Sequence, residues 1–577
     1  MSTPEEIKAA SRHLRGAIQN ELSDGETGFG HDSIVLLKFH GIYQQDDRDQ
    51  RRARTAKRLP LDYSCMVRAA VPGGVVTPDQ WAALDKLADL ADGSLRLTTR
   101  QGVQFHLVLK SALHDLVHEV NACLLTTLAA CGDVVRNTMA CPAPLPDGRQ
   151  AVLQPALADI VARFRPHTTS YWEIWVDGEK AVSAEPAPVD TEPVYGDVYL
   201  PRKFKIGLAW PGDNCVDVYT QDVGVVPTLS NGTTGDLTGW HVLVGGGLGM
   251  SHARENDTYP RLATPMAWVT PTQLTDVIQA VITAQRDYGN RADRQRARLK
   301  YLIDEKGLSW FRGEVEDRLG YALADPQPLL PWAAADEHHG WFENDASAWA
   351  IGVPVPSGRV RDGVEGNFRA ALRELMASGH VSEMRITPRQ DVILNGVAAS
   401  AKSEVERILR AHGVPLAHDT TAFARLSIAC PALPTCGQAL GEAERALSSM
   451  VSGIGGAMEK AGVGDADIRM NVTGCPNGCA RPYTAEIGVV GRGKTTYDVY
   501  LGGSAGGDRL GQRIRADVAL GDLDGLLSPV FGRYASDRHD GESFGDYCHR
   551  IGTDAIVTLL PEPVVRRRSK QMEESPL

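Results

Sequence analysis

The sequence repeats itself, and no other feature constrains its fold as strongly. Val71-Pro72-Gly73-Gly74-Val75-Val76 returns as Val355-Pro356-Ser357-Gly358-Arg359-Val360, and an amphipathic stretch follows each copy. In the first copy Thr77-Pro78-Asp79 is expected to cap a helix that turns Trp81, Leu84, Leu87 and Ala88 inward. Next come Leu95-Arg96-Leu97-Thr98-Thr99-Arg100-Gln101-Gly102-Val103-Gln104 and Met384-Arg385-Ile386-Thr387-Pro388-Arg389-Gln390-Asp391-Val392-Ile393. Both read as alternating strands with outward basic residues. Tyr219–Val226 then matches Tyr483–Val490, and Leu243-Val244-Gly245-Gly246 matches Tyr500-Leu501-Gly502-Gly503. The order is A–B–A′–B′, a duplication of two modules.

Strand-like and helix-like stretches alternate throughout, so the expected class is α+β (mixed α/β). The expected divisions are an N-terminal arm (1–62), A (63–130), B (131–311), a connection rich in Pro, Ala, Asp and His (312–348), A′ (349–415), B′ (416–560) and a mobile basic tail (561–577). A length of 577 residues fits three or four domains at about 150 residues each.

With 43% hydrophobic and 23% charged residues the chain is neither wholly disordered nor a disulfide-dense miniprotein. Its net charge of −12 argues against general nucleic-acid binding. It has no apolar run of about 18 residues and no signal-peptide order near its start, so a cytoplasmic protein without a membrane span is expected. In that compartment the ten cysteines are expected to be reduced, and clustered ones to be ligands.

Six cysteines stand alone; the other four form the pairs Cys430-x5-Cys436 and Cys475-x3-Cys479 in Pro/Gly-rich turns. Four thiolates suit an iron–sulfur cubane or tetrahedral zinc, and the spacing is looser than the usual structural zinc knuckles. A helix is expected over Gly437–Leu447, with Leu440, Ala443 and Leu447 on one face and its N-terminus near the thiolates. In this alignment B lacks the cysteines and B′ carries them. Cys141, five residues after Arg136, is read as a buried passive thiol, the alternative being a thiol that approaches the active site. Gly488–Thr495 matches a phosphate-binding loop pattern, but Thr496–Tyr500 reads as a second strand, which makes a hairpin. No NADPH or flavin fingerprint is present, so electrons are expected from a partner.

Together the paired cysteines, the duplication and Leu97-Thr98-Thr99-Arg100-Gln101 resemble the sirohaem-dependent sulfite and nitrite reductases. Leu36-Leu37-Lys38-Phe39-His40-Gly41-Ile42-Tyr43-Gln44-Gln45-Asp46-Asp47-Arg48-Asp49 narrows the resemblance to sulfite reductases, most similar to haemoprotein (beta) subunits of the NADPH type. The similarity runs from about residue 10 to about 552. It implies ferredoxin-like half-domains alternating with α/β domains that bind sirohaem and a [4Fe–4S] cluster. It also implies a sulfite substrate, and an electron-donor protein that is a flavoprotein subunit or, as Tyr63-Ser64 also fits, a ferredoxin.

By that resemblance Cys430, Cys436, Cys475 and Cys479 ligate the cluster, and the Cys479 thiolate bridges it to the haem iron. Arg96, Thr98, Arg100, Gln104 and His106 would contact the macrocycle or its carboxylates, for which arginine forks are suited. Arg294, Arg298 and Lys300, in a run of five cations within ten residues, would also reach the cofactor. Arg68, Arg136, Lys203 and Lys205 would bind the anion and supply protons. Lys203 and Lys205 flank Phe204 and are expected on one face of a strand. Related nitrite reductases usually have Asn at the position matching Lys205, so two lysines favour sulfite.

Overall fold

A computed structural model describes residues 2–168, 170, 174–176, 179–182, 192–332, 337–344 and 346–563. The basic tail at Arg566–Lys570 lies outside the described residues. The duplication is visible element for element. In A, Tyr63–Ala69, the helix Pro78–Leu87, Leu95–Leu97, Val103–Val108 and the helix Leu113–Ala122 follow one another. In A′ the same order is Trp349–Val353, Phe368–Ala377, Glu383–Ile386, Val392–Val397 and Lys402–Ala411. The first helix starts as expected: Thr77 and Gln80 form a reciprocal capping box, and Trp81, Leu84, Leu87 and Ala88 are buried.

The two A modules exchange strands. Arg359–Val360 of A′ pairs with Leu95–Arg96 of A, and Val75–Val76 of A pairs with Met384–Arg385 of A′. Each five-stranded sheet is thus completed by the other copy. Their side chains also share one hydrophobic core, in which Trp81, Leu84 and Phe105 of A join Leu372, Leu375 and Ile408 of A′. Neither half closes its sheet alone.

B and B′ have separate cores around sheets of identical topology. The B strands, in sheet order, are Met139–Ala140, Ile206–Leu208, Val223–Asn231, Thr234–Val244 and Thr264–Val269. In B′ they are Ser427–Ala429, Met470–Thr473, Ile487–Gly493, Thr496–Leu501 and Gln512–Ala519. In both sheets the first two pairings are parallel and the last two antiparallel. The repeated glycines have the same physical role. A Cβ on Gly246 would lie 2.2 Å from the Tyr219 carbonyl oxygen, and one on Gly503 would lie 2.2 Å from that of Ala485. Both positions exclude any side chain. Thr496 pairs directly back with Gly493, so the phosphate-loop pattern is a hairpin without a following helix.

Three local expectations change. The basic segments are hairpins rather than single strands, because Thr98 and Thr387 each accept two backbone N–H bonds across the turn and Gln101 and Gln390 take positive φ. Their arginines point inward, Arg96 being 2% exposed and Arg385 8%. The helix after the first cysteine pair starts at Glu444 rather than Gly437. The N–H groups of Leu440, Gly441 and Glu442 bond instead to carbonyls of Gly474 and Lys494, which holds the intervening loop open. Within 312–348, the helix Leu308–Leu319 buries Phe311 and Val315 in the B core, and Gly340–Glu343 is an edge strand of the A′ sheet.

Gln101 joins three modules. Its amide nitrogen donates to Gly73, Ala140 and Ile386, and its oxygen accepts from the Ala140 N–H. Replacing Gln101 by Leu would strand these buried groups, each worth about 1–3 kcal/mol. Denaturant titration of Gln101→Leu is expected to show a loss of about 3 kcal/mol; a loss below about 0.5 kcal/mol would contradict the hub role.

Candidate active site

Three of the residues expected to bind the anion, Arg136, Lys203 and Lys205, are brought together by one short contact between distant chain segments. Phe204 bridges Val135 in parallel, its N–H bonding to the Val134 carbonyl and its carbonyl accepting from Arg136. Phe204 is buried, so Lys203 and Lys205 lie on the side away from it, beside Arg136. The expected strand is only this bridge; the regular strand begins at Ile206.

Among the described residues the Lys203 and Lys205 ammonium groups have no hydrogen bond or ion pair. Burial pushes both well below the ordinary lysine range. The next causes are Lys205, Arg136 and Arg202 for Lys203, and Arg298 and Arg100 for Lys205. Arg136 is held by the Gly132 carbonyl and stands beside Tyr43. Arg68 donates to Cys131 Sγ at 3.1 Å and, with the Gln104 amide turned to face it, to Gln104 Oε1. None of these four cations is paired with a carboxylate among the described residues.

The other predicted cations are committed elsewhere. Arg100 donates to the Asn137 and Ile206 carbonyls and to Gln221 Oε1, and burial holds it down to about 9. Arg96 binds Glu444 at 3.0 Å and the Ala429 carbonyl at 2.8 Å, fastening A to B′. Arg298 is paired with Asp222 at 2.7 Å, and Asp222 also receives the Lys205 backbone N–H. Arg294 grips Asp133 with both terminal nitrogens. Lys300 is enclosed by the carbonyls of Gly247, Gly249 and Tyr259. Thr98 holds its own turn. His106 is 2% exposed, both of its ring nitrogens lack a partner, and burial with Arg359 and Arg96 nearby keeps it well below the usual histidine range.

The four paired cysteines meet at the carboxyl ends of two parallel strands, where α/β sheets commonly hold ligands. Cys430 follows Ser427–Ala429, and Cys475 follows Met470–Thr473. Cys430 and Cys475 are buried, Cys436 is half-buried and Cys479 is exposed. Burial, and then the neighbouring cysteines, push the thiols up, Cys475 to about 12. Deprotonation there needs a bound metal. No three of their sulfurs lie within 4.8 Å of one another. A single tetrahedral zinc ion holds its sulfurs about 3.8 Å apart, closer than any three of these lie. The Gly474 N–H donates to Cys430 Sγ at 3.3 Å, and Asn477 Nδ2 points to Cys475 Sγ at 3.5 Å. The A turn reaches this loop: Thr99 Oγ1 donates to the Cys479 carbonyl at 3.0 Å. The clustered thiols, the partnerless ammonium groups and the orphaned His106 fit a [4Fe–4S] cluster and a polycarboxylate macrocycle.

Sequence reasoning missed several contributors. Arg48 donates to the Cys436 and Ala439 carbonyls, so the Leu36–Asp49 motif braces the cysteine loop from the far end of the chain. Tyr43 in that motif stands beside Cys131 and Arg136. Asp222 lies inside the repeated Tyr219–Val226 segment. B is also not devoid of cysteines at the equivalent place. The Cys141 N–H bonds to the Leu208 carbonyl as the Cys430 N–H bonds to that of Val472, both at 3.1 Å.

These features define a protein that binds an anionic substrate beside an iron–sulfur cluster. The family profile described as "Nitrite and sulphite reductase 4Fe-4S domain" matches residues 160–323, and that described as "Nitrite/Sulfite reductase ferredoxin-like half domain" matches residues 61–123. Similar full-length relatives are named sulfite reductase [NADPH] hemoprotein beta-component. The one from Paenibacillus sp. (strain JDR-2) is 43% identical over 96% of each chain. The one from Methylobacterium nodulans is 45% identical over 97% of this chain and 92% of its own. The solved structure of Mycobacterium tuberculosis NirA protein shares the fold, with a TM-score of 0.78 at 24% identity over 96% of this chain and 97% of that one. The chain belongs to the nitrite and sulfite reductase family.

The charged form of Lys203 is disfavoured in the folded chain. Its destabilising effect is therefore full below the lowered folded-state pKa and disappears above the ordinary 10.5. Lys203→Met is expected to raise the thermal midpoint at pH 7 before substrate is added. The gain should shrink as pH rises toward 10.5; a gain independent of pH would contradict the assigned burial of charge.

Proposed function

We propose that this chain is the haemoprotein of an assimilatory sulfite reductase, which reduces sulfite by six electrons to sulfide in sulfate assimilation and cysteine biosynthesis. The observation that carries the reading is the pair of partnerless, half-buried lysines, Lys203 and Lys205, grouped with Arg136 and Arg68. Full-length relatives whose printed name is a sulfite reductase component support it. The same reading keeps the divisions 63–130, 131–311, 349–415 and 416–560 as modules and 1–62 as an arm, while the proposed connection 312–348 lends its first residues to B and Gly340–Glu343 to A′.

Cys430, Cys436, Cys475 and Cys479 would hold the cluster, with Cys479, the exposed one, toward the haem. Sirohaem and the [4Fe–4S] cluster, when bound, supply the electron-transfer chemistry. The protein holds sulfite, a dianion at neutral to basic pH, by charge. Arg68 and Arg136 hold its oxygens through their guanidinium donors. Lys203 and Lys205 have lowered pKa values and are stronger acids than ordinary lysine. They donate from Nζ to oxygens that leave as water. Asp222 fixes Lys205 by its backbone and neutralises Arg298 behind the site, so it does not compete for substrate. His106, with both nitrogens unpaired, and Gln104 would face the macrocycle.

No nucleotide site is proposed in this chain. Electrons are proposed to arrive from NADPH through a flavoprotein partner, as the bracketed cofactor in the relatives' name supports. A cytoplasmic location is proposed; among the described residues no helix is long and apolar enough to cross a membrane.

Protein loaded with both cofactors is expected to contain about five irons per chain. Lys205→Asn, at unchanged iron content and visible spectrum, is expected to lower sulfide production about 100-fold. Unaltered turnover would remove Lys205 from the mechanism, and faster turnover of nitrite than of sulfite by the wild type would favour the other branch of the family. Cys479→Ser is expected to lose cluster iron and acid-labile sulfide; retention of both would refute its ligand role. Reconstitution with a flavoprotein subunit and NADPH, against reduced ferredoxin, assigns the donor.

A further inference from the structure

Away from the cationic pocket, four metal-binding side chains converge in the first B module. Cys141, Asp213, Cys215 and His338 each offer a ligating atom, and these atoms all lie within 4.8 Å of one another. Among the described residues no other set of three or more His, Cys, Asp or Glu side chains converges as closely. Cys141, Cys215 and His338 are buried, and the Asp213 side chain is 13% exposed. Asp213 Oδ2 lies 3.3 Å from His338 Nε2 and 3.5 Å from Cys141 Sγ.

The internal duplication gives this place an independent meaning. Cys141 and Cys430 make the same backbone bond to the neighbouring parallel strand, to the carbonyls of Leu208 and Val472 respectively. Cys215 lies seven residues after Leu208, and Cys479 lies seven residues after Val472. The two cysteines of this cluster therefore stand where two of the four paired cysteines stand in B′. The other two members differ: Asp213 comes from the same turn as Cys215, and His338 arrives from the segment connecting the halves.

Two thiols and an imidazole select a soft or borderline cation over magnesium or calcium. A compact, buried set of four protein ligands leaves no open position, as in structural zinc sites. Arg149 is already placed to support the ligands. Its Nη1 lies 3.1 Å from Cys141 Sγ and 2.5 Å from Asp213 Oδ2, and Asp147 holds the guanidinium at Nη2. A divalent ion with two thiolates and one carboxylate carries one net negative charge, and the Arg149 guanidinium faces it.

We propose that Cys141, Asp213, Cys215 and His338 bind one zinc ion, a single-ion counterpart in B of the cluster site in B′. The ion would clamp the connecting segment to the first half. The residues flanking His338 already hold the second half: Glu337 pairs with Arg469 at 2.8 Å and His339 with Asp391 at 3.0 Å. Zinc at this junction would fix the two halves relative to each other without taking part in electron transfer.

The test is metal analysis and zinc X-ray absorption on purified, cofactor-loaded protein. About one zinc per chain is expected, with equal numbers of sulfur ligands at about 2.3 Å and nitrogen or oxygen ligands at about 2.0 Å. Cys215→Ser is expected to lower zinc content at least tenfold with iron content and visible spectrum unchanged. Zinc bound by four sulfurs would assign the metal to the paired cysteines and overturn the proposal. Absence of zinc after expression with added zinc would also overturn it, whether mass spectrometry finds Cys141 and Cys215 as free thiols or as a disulfide. If Cys215→Ser does not accumulate, Asp213→Asn provides the same comparison, and the wild-type ligand count decides independently.

Discussion

Uncompensated positive charge at the centre is the condition around which this protein is organised. Lys203 and Lys205 are half-buried beside Arg136 and make no ion pair of their own among the described residues. Like charges removed from water repel strongly, and a flexible protein would relax by moving them apart. Here the backbone prevents it. Phe204 is locked to Val134 and Arg136 by main-chain bonds, and the Lys205 N–H is held by Asp222. The acids that could quench the field are occupied: Asp222 by Arg298, and Asp133 by Arg294 and Lys8. In the proposed reading a bound anion finds the lysine-bearing backbone already fixed, which limits reorganisation during the reaction.

The duplication supplies the rigid frame for this arrangement. A and A′ complete each other's sheets and share a core, so neither can move without the other. The Thr98–Gln101 turn sits between B and B′. Arg100 reaches the Ile206 carbonyl in B, and Thr99 reaches Cys479 in B′. The corresponding turn in A′ uses Arg389 on Asn471 and the Leu426 carbonyl. One local motif, used twice, thereby positions both halves. The N-terminal arm closes the arrangement through Arg48 on the cysteine loop.

The copies then diverged in what they hold at equivalent strand ends. B′ carries four cysteines in two local pairs. B keeps cysteines at two of those positions and recruits Asp213 and His338 into a tighter set. The same sheet topology therefore presents two different donor sets, because Asp213 and His338 join the two cysteines in B where two further cysteines join them in B′.

The amino-acid sequence by itself determined the A–B–A′–B′ order, the capped helix at Thr77, the hairpin at Gly488–Thr495 and the four-cysteine set. Each is written in neighbouring residues, through helical spacing, turn chemistry or short cysteine intervals. It also marked Arg68, Arg136, Lys203 and Lys205, through a family resemblance carried by local motifs. Only the tertiary structure decided which cations keep their charge unpaired. Arg96, Arg294, Arg298 and Lys300 look as available in the sequence, yet each is committed to an acceptor far along the chain. The start of the helix at Glu444, the exchanged strands and the meeting of Cys141 with Cys215 and His338 were likewise illegible. They depend on contacts between segments tens to hundreds of residues apart, and no local period records such contacts.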